Sequence, residues 1–380
     1  MDLKLIGLHI RALASMPATK APVLSCHVDL EDSRWRTRFD EQVETLRAAL
    51  PPGEGRRWFE QALRPVRDHL RRPFAVGARG LALFSRGGAQ PFFVPLCFRI
   101  PLPAGLEIGR FPHVYRLVAL RDNFHRFAAL VVTSDAVRIL GVNTGAVTQH
   151  ICDRRIARLP KAPSRSSMGE LRTIFADAAA ILEPFMRLGG YRHLMLAGEA
   201  ARVALLRQSL PRHLAARIWD IIPANDGDAL MDIVQAASFS FADREEEESA
   251  AMVEWLCEGL GRDGWAVAGA GAALQALKDG SADILILDER FIPEPVRQCV
   301  DCGRFSPPAS PQFLCPLCGA GLCVPRDERE ALVRAAVFAG VHIEIVNHSD
   351  ALMRLGGVGC ILRTAPEQQI FEHHRLRKAG

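Results

Sequence analysis

Lysine is almost missing from this chain of 380 residues: among 47 basic side chains only Lys4, Lys20, Lys161, Lys278 and Lys378 are lysine, and the rest are arginine. The codon usage of a GC-rich genome accounts for part of that bias. Arginine's planar five-donor fork also suits phosphates and bases, so an RNA partner is permitted without being required. No apolar run approaches the roughly 20 residues of a membrane helix. The start, Met1-Asp2-Leu3-Lys4-Leu5-Ile6, lacks the charged first segment and long apolar stretch of a signal peptide. The expectation is a cytoplasmic protein with no membrane partner. No repeat of 20–50 residues stands out, and there is no P-loop, no H-E-x-x-H, no nucleophile elbow and no G-x-G-x-x-G opening a helix after a strand. Each absence removes a familiar route to catalysis.

What is present is ordinary in bulk: 49% hydrophobic, 24% charged and 7% aromatic residues, with a net charge of +4. That composition excludes a disordered or low-complexity chain. At about 100–200 residues per domain, the length predicts two or three domains.

Ten cysteines are distributed unevenly. Cys299-x2-Cys302 and Cys315-x2-Cys318 form two knuckles separated by twelve residues, the spacing that closes a tetrahedral Zn²⁺ site. Gly303, Pro307, Pro308, Ser310, Pro311, Pro316 and Gly319 supply turns, as a zinc ribbon needs. A redox C-x-x-C is expected at a helix start after a strand, and disulfides are disfavoured among reduced cytosolic thiols, so structural zinc is the expectation. Cys323 lies just outside the pattern, as a weak substitute ligand. Cys26, Cys97, Cys152, Cys257 and Cys360 read as small buried hydrophobes.

Hydrophobic periodicity predicts a strand at 22–30, helices at Arg36–Leu50 and Arg56–Leu70, and strands at Leu81–Phe84 and Phe92–Phe98 about a Gly87-Gly88 turn. The proline-rich passage from Pro101 to Pro112 reads as a domain boundary, and short strands are expected from Tyr115 onward, notably Phe127–Val132 and Val137–Val142. A basic loop at Arg154–Ser167 precedes a helix at Met168–Leu188, strand His193–Leu196, a Gly198 turn, helix Glu199–Leu210 and strand Ile218–Ile222. The acidic run Asp243–Glu248 is expected near a helix start, as a solvated face. The last third alternates helix Ala272–Lys278, strand Ile284–Leu287, the cysteine insert, helix Glu328–Phe338, strand Val341–Ile345, a short helix at Ser349–Arg354 and strand Cys360–Arg363. That order predicts an α/β/α lobe with the insert after a central strand.

Three passages resemble the archaeo-eukaryotic release factor and Pelota superfamily. Arg192-His193-Leu194-Met195-Leu196-Ala197-Gly198 resembles the strand and turn of its middle domain. Leu277-Lys278-Asp279-Gly280 through Ala282-Asp283-Ile284-Leu285-Ile286-Leu287 resembles the start of its C-terminal domain, which is similar to the ribosomal protein that binds kink-turn RNA. Ala339-Gly340-Val341-His342-Ile343-Glu344-Ile345 with Gly356-Gly357-Val358-Gly359-Cys360-Ile361-Leu362-Arg363 is similar to its terminal glycine-rich strand. The resemblance implies an α/β fold of three domains: 1–115, a middle domain 116–236, and 237–380, an α/β/α lobe of the kink-turn-protein type with the zinc ribbon at 299–318.

One departure shapes the functional expectation. Release factors of the family carry a Gly-Gly-Gln tripeptide on a middle-domain loop, whereas the matching loop here, Leu159 to Glu170, has none. Gly87-Gly88-Ala89-Gln90 carries an extra residue and reads as a β-turn. His27, His113, His125 and His150, in or beside predicted strands, read as satisfied structural histidines, and His373 and His374 lie in a polar tail.

No catalytic residue is therefore assigned, and binding is expected instead. Residues 1–115 carry 17 basic and 11 acidic side chains, 116–236 carry 16 and 11, and 237–380 carry 14 and 21. Basic segments attract RNA phosphates, and an acidic one suits a protein. Arg154, Arg155, Arg158, Lys161, Ser164, Arg165 and Ser166 are the candidate RNA contacts. The chain resembles the bacterial branch of the superfamily, which includes Balon-like hibernation factors. The resemblance implies a non-catalytic factor in the ribosomal A site, contacting ribosomal RNA, with elongation factor Tu or another translational GTPase on the C-terminal domain. Two alternatives stand beside it: a rescue factor that hydrolyses peptidyl-tRNA, and a zinc-ribbon scaffold for other RNA or protein.

Overall fold

The computed structural model describes residues 6–50, 52–122, 126–134, 136–143, 146–153, 165–261, 264–292, 296–299, 305–306, 318 and 323–364. The first stretch runs α1 (Ile6–Ala14), β1 (Val23–Asp29), α2 (Trp35–Ala49), α3 (Glu54–Leu70), β2 (Gly80–Arg86), β3 (Phe92–Phe98), β4 (Gly105–Gly109) and α4 (Tyr115–Asp122). The four strands form an antiparallel sheet in the order β3-β2-β1-β4. Strand alternation sends Leu24, Cys26 and Val28 of β1 to one face. There α2 and α3 cover them with Phe39, Val43, Phe59, Leu63 and Val66. Two expectations fail here. The passage from Pro101 to Pro112 is no boundary, because its prolines flank β4, which pairs with β1 from Val23↔Gly109 to His27↔Gly105. Tyr115–Asp122 is a helix, its Leu117 and Val118 fully buried.

The middle stretch comprises β5 (Arg126–Val132), β6 (Val137–Asn143), β7 (Ala146–Asp153), α5 (Arg165–Gly189), β8 (His193–Gly198), α6 (Ala200–Ser209), α7 (Arg212–Ala215), β9 (Ile218–Pro223) and α8 (Leu230–Glu258). Its sheet is ordered β7-β6-β5-β8-β9, antiparallel through β7-β6-β5 and parallel through β5-β8-β9. Both faces are apolar, as a sheet covered twice requires. Phe175 and Leu182 of α5 and Val203 and Leu206 of α6 pack on one face. Ile233, Val234, Ala237 and Phe241 of α8 pack on the other. β7 escapes the sequence pattern because it is an edge strand with Gln149 and His150 exposed. The acidic run Asp243–Glu248 sits mid-way along α8 and not near its start, so a macrodipole argument does not apply to it.

The last stretch holds β10 (Ala266–Ala268), α9 (Ala270–Lys278), β11 (Ala282–Asp288), β12 (Val296–Cys299), β13 (Phe305–Ser306), β14 (Cys323–Arg326), α10 (Glu328–Ala339), β15 (His342–Val346), α11 (Asp350–Arg354) and β16 (Val358–Leu362). Its main sheet is ordered β10-β16-β11-β15, with β11 and β15 parallel. A small antiparallel sheet, β13-β12-β14, is inserted after the interior strand β11. α10 has explicit boundaries: the Asp327 carboxylate caps the N–H groups of Arg329 and Glu330, and Gly340 at φ 66° ends the helix in a left-handed turn.

Two compact units result. One gathers Met1–Asp122 and Val253–Pro366, and the other is built on Asn123–Met252. The chain divides at 122/123 and within α8, in place of 115/116 and 236/237, because α4 packs into the first unit. One apolar core there joins Ile10, Phe84, Phe98, Leu117 and Val118 to Leu277, Leu285, Val333, Ile343 and Cys360. Polar contacts reinforce it. The Glu330 carboxylate accepts the N–H groups of Val114 and Tyr115 at 2.8 and 2.7 Å. Arg334 donates to the carbonyls of Ala14 and Met16. Asp122 accepts the Ile345 N–H at 2.7 Å, on edge strand β15.

Candidate functional site

β12 delivers Cys299 to the first knuckle. Its side chain is buried, that of Cys318 is exposed, and the two sulfurs lie 3.7 Å apart. Zn–S bonds of about 2.3 Å at tetrahedral angles place two thiolates about 3.8 Å apart. A disulfide would place them at about 2.05 Å. The separation excludes a disulfide and matches either a contact between two thiols or two thiolates sharing one metal. Cys302 and Cys315 lie outside the described residues. Among the described residues no group of three or more His, Cys, Asp or Glu side chains is gathered for a metal.

The candidate RNA contacts are only partly described. Arg154, Arg155, Arg158, Lys161 and Ser164 lie outside the described residues, and Arg165 and Ser166 open α5. Gly87-Gly88-Ala89-Gln90 forms the β2–β3 connection. The Gly88 N–H donates to Gln61 Oε1 at 2.8 Å, and the Gln90 carbonyl accepts from Arg86 Nε at 2.9 Å. The Gln90 backbone thus serves the turn, as a β-turn requires.

The scattered cysteines separate by environment. Cys26 and Cys360 are buried, and burial pushes both thiols up, Cys360 to about 12. Cys97 is partly buried, whereas Cys257 is exposed on α8, against the expectation of a core residue. The Cys152 side chain and His125, His373 and His374 lie outside the described residues. His150 is exposed.

His27 departs furthest from the reading of a satisfied strand histidine. It lies on the face of β1 opposite Cys26, 2% exposed, and neither ring nitrogen has a hydrogen-bond partner. Glu107 Oε2 is 3.7 Å from its Nδ1, and Glu107 Oε1 accepts from Arg116 at 2.6 Å. The Ser25 hydroxyl accepts the His113 N–H at 3.0 Å. Burial holds His27 and His113 below the usual histidine range. The missed signal is Glu107, the single acidic residue between two glycines of a strand concealed by prolines.

In the second unit the strand–turn–helix passage of the family resemblance is β8, Gly198 and α6. Gly198 has φ 148°, and a Cβ there would meet the Val132 carbonyl at 2.5 Å. Arg202, 7% exposed, donates to Asp226 at 2.7 Å and pairs with Glu199 at 3.3 Å. Asp226 also accepts the Ser134 N–H, so these groups tie the ends of β5, β8 and β9 together. Arg202 holds the Asp226 carboxyl below its ordinary range. Among the described residues no helix is long and apolar enough to cross a membrane.

No protein-family model matches the sequence, and no curated protein matches it. Some solved structures do match. An archaeal Pelota described as ribosome-bound with ABCE1 shares 13% identity over 96% of this chain and 95% of that chain, with a TM-score of 0.42. Dom34 of Saccharomyces cerevisiae, described as a translation termination-like factor interacting with Hbs1, shares 12% over 77% and 81%, with a TM-score of 0.43. The C-terminal domain of a peptide chain release factor from Methanosarcina mazei shares 26% over 36% of this chain and 94% of that domain, with a TM-score of 0.30.

Proposed function

We propose that this chain is a non-catalytic ribosome-binding factor of the release-factor and Pelota superfamily, occupying the A site in hibernation or stress protection. The observation that carries the reading is the order of the three family passages in one chain whose middle-domain loop, Leu159 to Glu170, lacks Gly-Gly-Gln. Without that tripeptide nothing in the loop matches the family's device for positioning water. The excess of basic residues over 1–236 suits ribosomal RNA, and the acidic excess over 237–380 suits a protein partner such as elongation factor Tu. Arg154, Arg155, Arg158, Lys161 and Arg165 are the RNA contacts this reading assigns.

Zinc belongs to the same proposal. Cys299, Cys302, Cys315 and Cys318 would hold one Zn²⁺ as a closed structural site. The 3.7 Å between the Cys299 and Cys318 sulfurs supports it.

Sedimentation of the purified protein with 70S ribosomes tests the function. Co-migration is expected at low salt and should fall steeply as salt rises. Absence of co-migration at low salt, with zinc bound and elongation factor Tu present, would overturn it. Release of peptide from ribosome-bound peptidyl-tRNA would overturn its non-catalytic part.

A further inference from the structure

α3 carries a row of arginines on its solvent side. Arg57, Arg64 and Arg71 follow one another at steps of two helical turns, about 10.5 Å each, with Arg71 as the C-cap and Arg72 just past the helix. All four are exposed. The opposite side of the helix, Phe59, Leu63, Val66 and Leu70, is buried. Pro65 lies inside the helix without turning any of these arginines inward.

The carboxylates nearby are largely committed to other arginines. Glu31 pairs with Arg79, Asp32 with Arg38, Asp40 with Arg67, and both Glu44 and Glu60 with Arg47. Asp68 lies 3.8 Å from Arg71, but both are more than half exposed, so that pairing is worth little. Among the described residues Arg57, Arg64 and Arg72 form no ion pair. Burial, with Arg72 nearby, holds His69 below the usual histidine range, the sign an uncompensated cation gives. The Asp40–Arg67 and Glu60–Arg47 pairs also set α2 antiparallel to α3, so the start of α2 lies beside the end of the row. There the Trp35 and Phe74 rings meet at 6.1 Å, and the exposed Arg36 stacks over Trp35 at 4.2 Å.

Unneutralised arginines repel one another, and an anion laid along them relieves that repulsion. A protein partner is gripped by apolar and aromatic anchors inside a polar rim. Between Arg57 and Arg72 no large apolar side chain is exposed. A line of guanidinium forks without anchors suits a polyanion whose repeating phosphates accept paired N–H donors. We infer that the exposed face of α3, through Arg57, Arg64, Arg71 and Arg72 with Arg36 alongside, binds the phosphate backbone of RNA. This rests on the ribosome-binding reading, to which it adds a contact in the first stretch of the chain, distinct in sequence from the loop before α5.

The test measures binding of the full chain to 70S ribosomes, and to ribosomal RNA stripped of protein, across a series of salt concentrations. Arg57→Gln/Arg64→Gln/Arg72→Gln should bind both at least about tenfold more weakly at low salt, with a plot of log affinity against log salt shallower by roughly two to three. The same three positions changed to lysine should stay within about threefold of the wild type, since an ammonium still meets a phosphate. Arg38→Gln/Arg79→Gln removes two arginines that are already ion-paired and should stay within about twofold. The substituted side chains are exposed, so every variant should keep the wild-type urea midpoint. If the glutamine triple does not fold, the three single variants decide, each flattening the salt plot by about 0.7–0.9.

A wild type that binds ribosomes, with glutamine variants that bind as tightly and with the same salt dependence, removes this inference alone. Equal losses in the glutamine triple and in Arg38→Gln/Arg79→Gln overturn it as well, since overall charge and not this face would then be at work. A triple variant weakened on 70S ribosomes but unchanged on stripped RNA assigns the face to an acidic protein and overturns it equally. A wild type that fails to bind ribosomes, while the triple still weakens binding to stripped RNA, removes the ribosome reading and leaves the RNA face standing. A wild type that binds neither removes both.

Discussion

The two units handle buried polarity in opposite ways. In the first, the sheet face turned toward α4 and α10 is laced with ionisable groups: His27, Glu107, His113 and, from α10, the partly buried Glu330. In the second, the sheet is apolar on both faces, and even His193 lies edge-on against Trp219 and Phe241 at 4.3 and 5.3 Å. A core of the second kind depends on volume and contact. A seam of the first kind depends on charge state and on each polar atom keeping its partner. The first unit also joins segments more than 200 residues apart, Val114 bonding to Glu330 across 216 positions. That separation makes polar specificity useful for fixing which surfaces meet.

The largest effect that would break the comparison comes from the second unit. The Phe241 ring stacks on Phe127 and Trp219, each at 5.2 Å, and it is 1% exposed. Phe241→Ala should cost about 3–5 kcal/mol through lost transfer energy and the cavity left behind. Hydrogen exchange read by mass spectrometry should show protection falling across β5, β8 and β9 while α10 and β15 keep theirs. A cost below about 1 kcal/mol would mean that this core is not governed by packing.

Glu330→Ala attacks the seam instead. The Val114 and Tyr115 N–H groups lose their acceptor, and the expected cost is about 2 kcal/mol, moderated because a poorly solvated carboxyl is removed at the same time. Protection should fall at α4 and α10 and stay unchanged in β5 and β8. Uniform loss across both units would dissolve the distinction between them.

The pH dependence sharpens the contrast further. Burial, with the Asp327 carboxylate nearby, pushes Glu330 up from 4.5 to about 8, against the pull of two N–H donors and Arg329. The unfolded state then releases its proton first. Stability held below pH 4.5 declines as pH rises and is gone once pH passes about 8. His27 and His113 act with the other sign. Burial holds both below 6.5, so their contribution is present above that value and is lost as pH falls. Urea unfolding across pH 5–9 should show the first unit weakening toward alkaline pH, and Glu330→Gln should flatten that limb. An unaltered limb in Glu330→Gln would assign the titration elsewhere.

What the sequence revealed follows the same division. Elements with local signals were legible: α10 between Asp327 and Gly340, β3 at Phe92–Phe98, and β8 running into the Gly198 turn. Of the four cysteines whose spacing suggested two knuckles, Cys299 and Cys318 lie 3.7 Å apart, and Cys302 and Cys315 lie outside the described residues. β4 was illegible because prolines bracket a strand whose pairing partner, β1, lies some 80 residues earlier. The seam was illegible for a stronger reason. Nothing near Glu330 in sequence distinguishes it from the solvated glutamates Glu246 and Glu247, and only tertiary contact with Val114 and Tyr115 does.

The smallest effect is expected where the second unit does hold a charge pair. Arg202 is nearly enclosed, but Asp226 is 39% exposed, so solvent screens much of their attraction. Asp226→Asn keeps the shape and a carbonyl acceptor for Ser134, and Arg202 retains Glu199 at 3.3 Å. The cost should be about 1 kcal/mol at pH 7 once screening is allowed for. It should vanish in acid: Arg202 holds the Asp226 carboxyl below its ordinary 3.8, so the pair's contribution exists above that value and is lost as pH falls further. Urea titrations of both proteins at pH 7 and pH 3 measure the difference. A penalty well above that of Glu330→Ala would mean that the second unit also rests on a buried charge, and the contrast between the units would become one of position and not of kind.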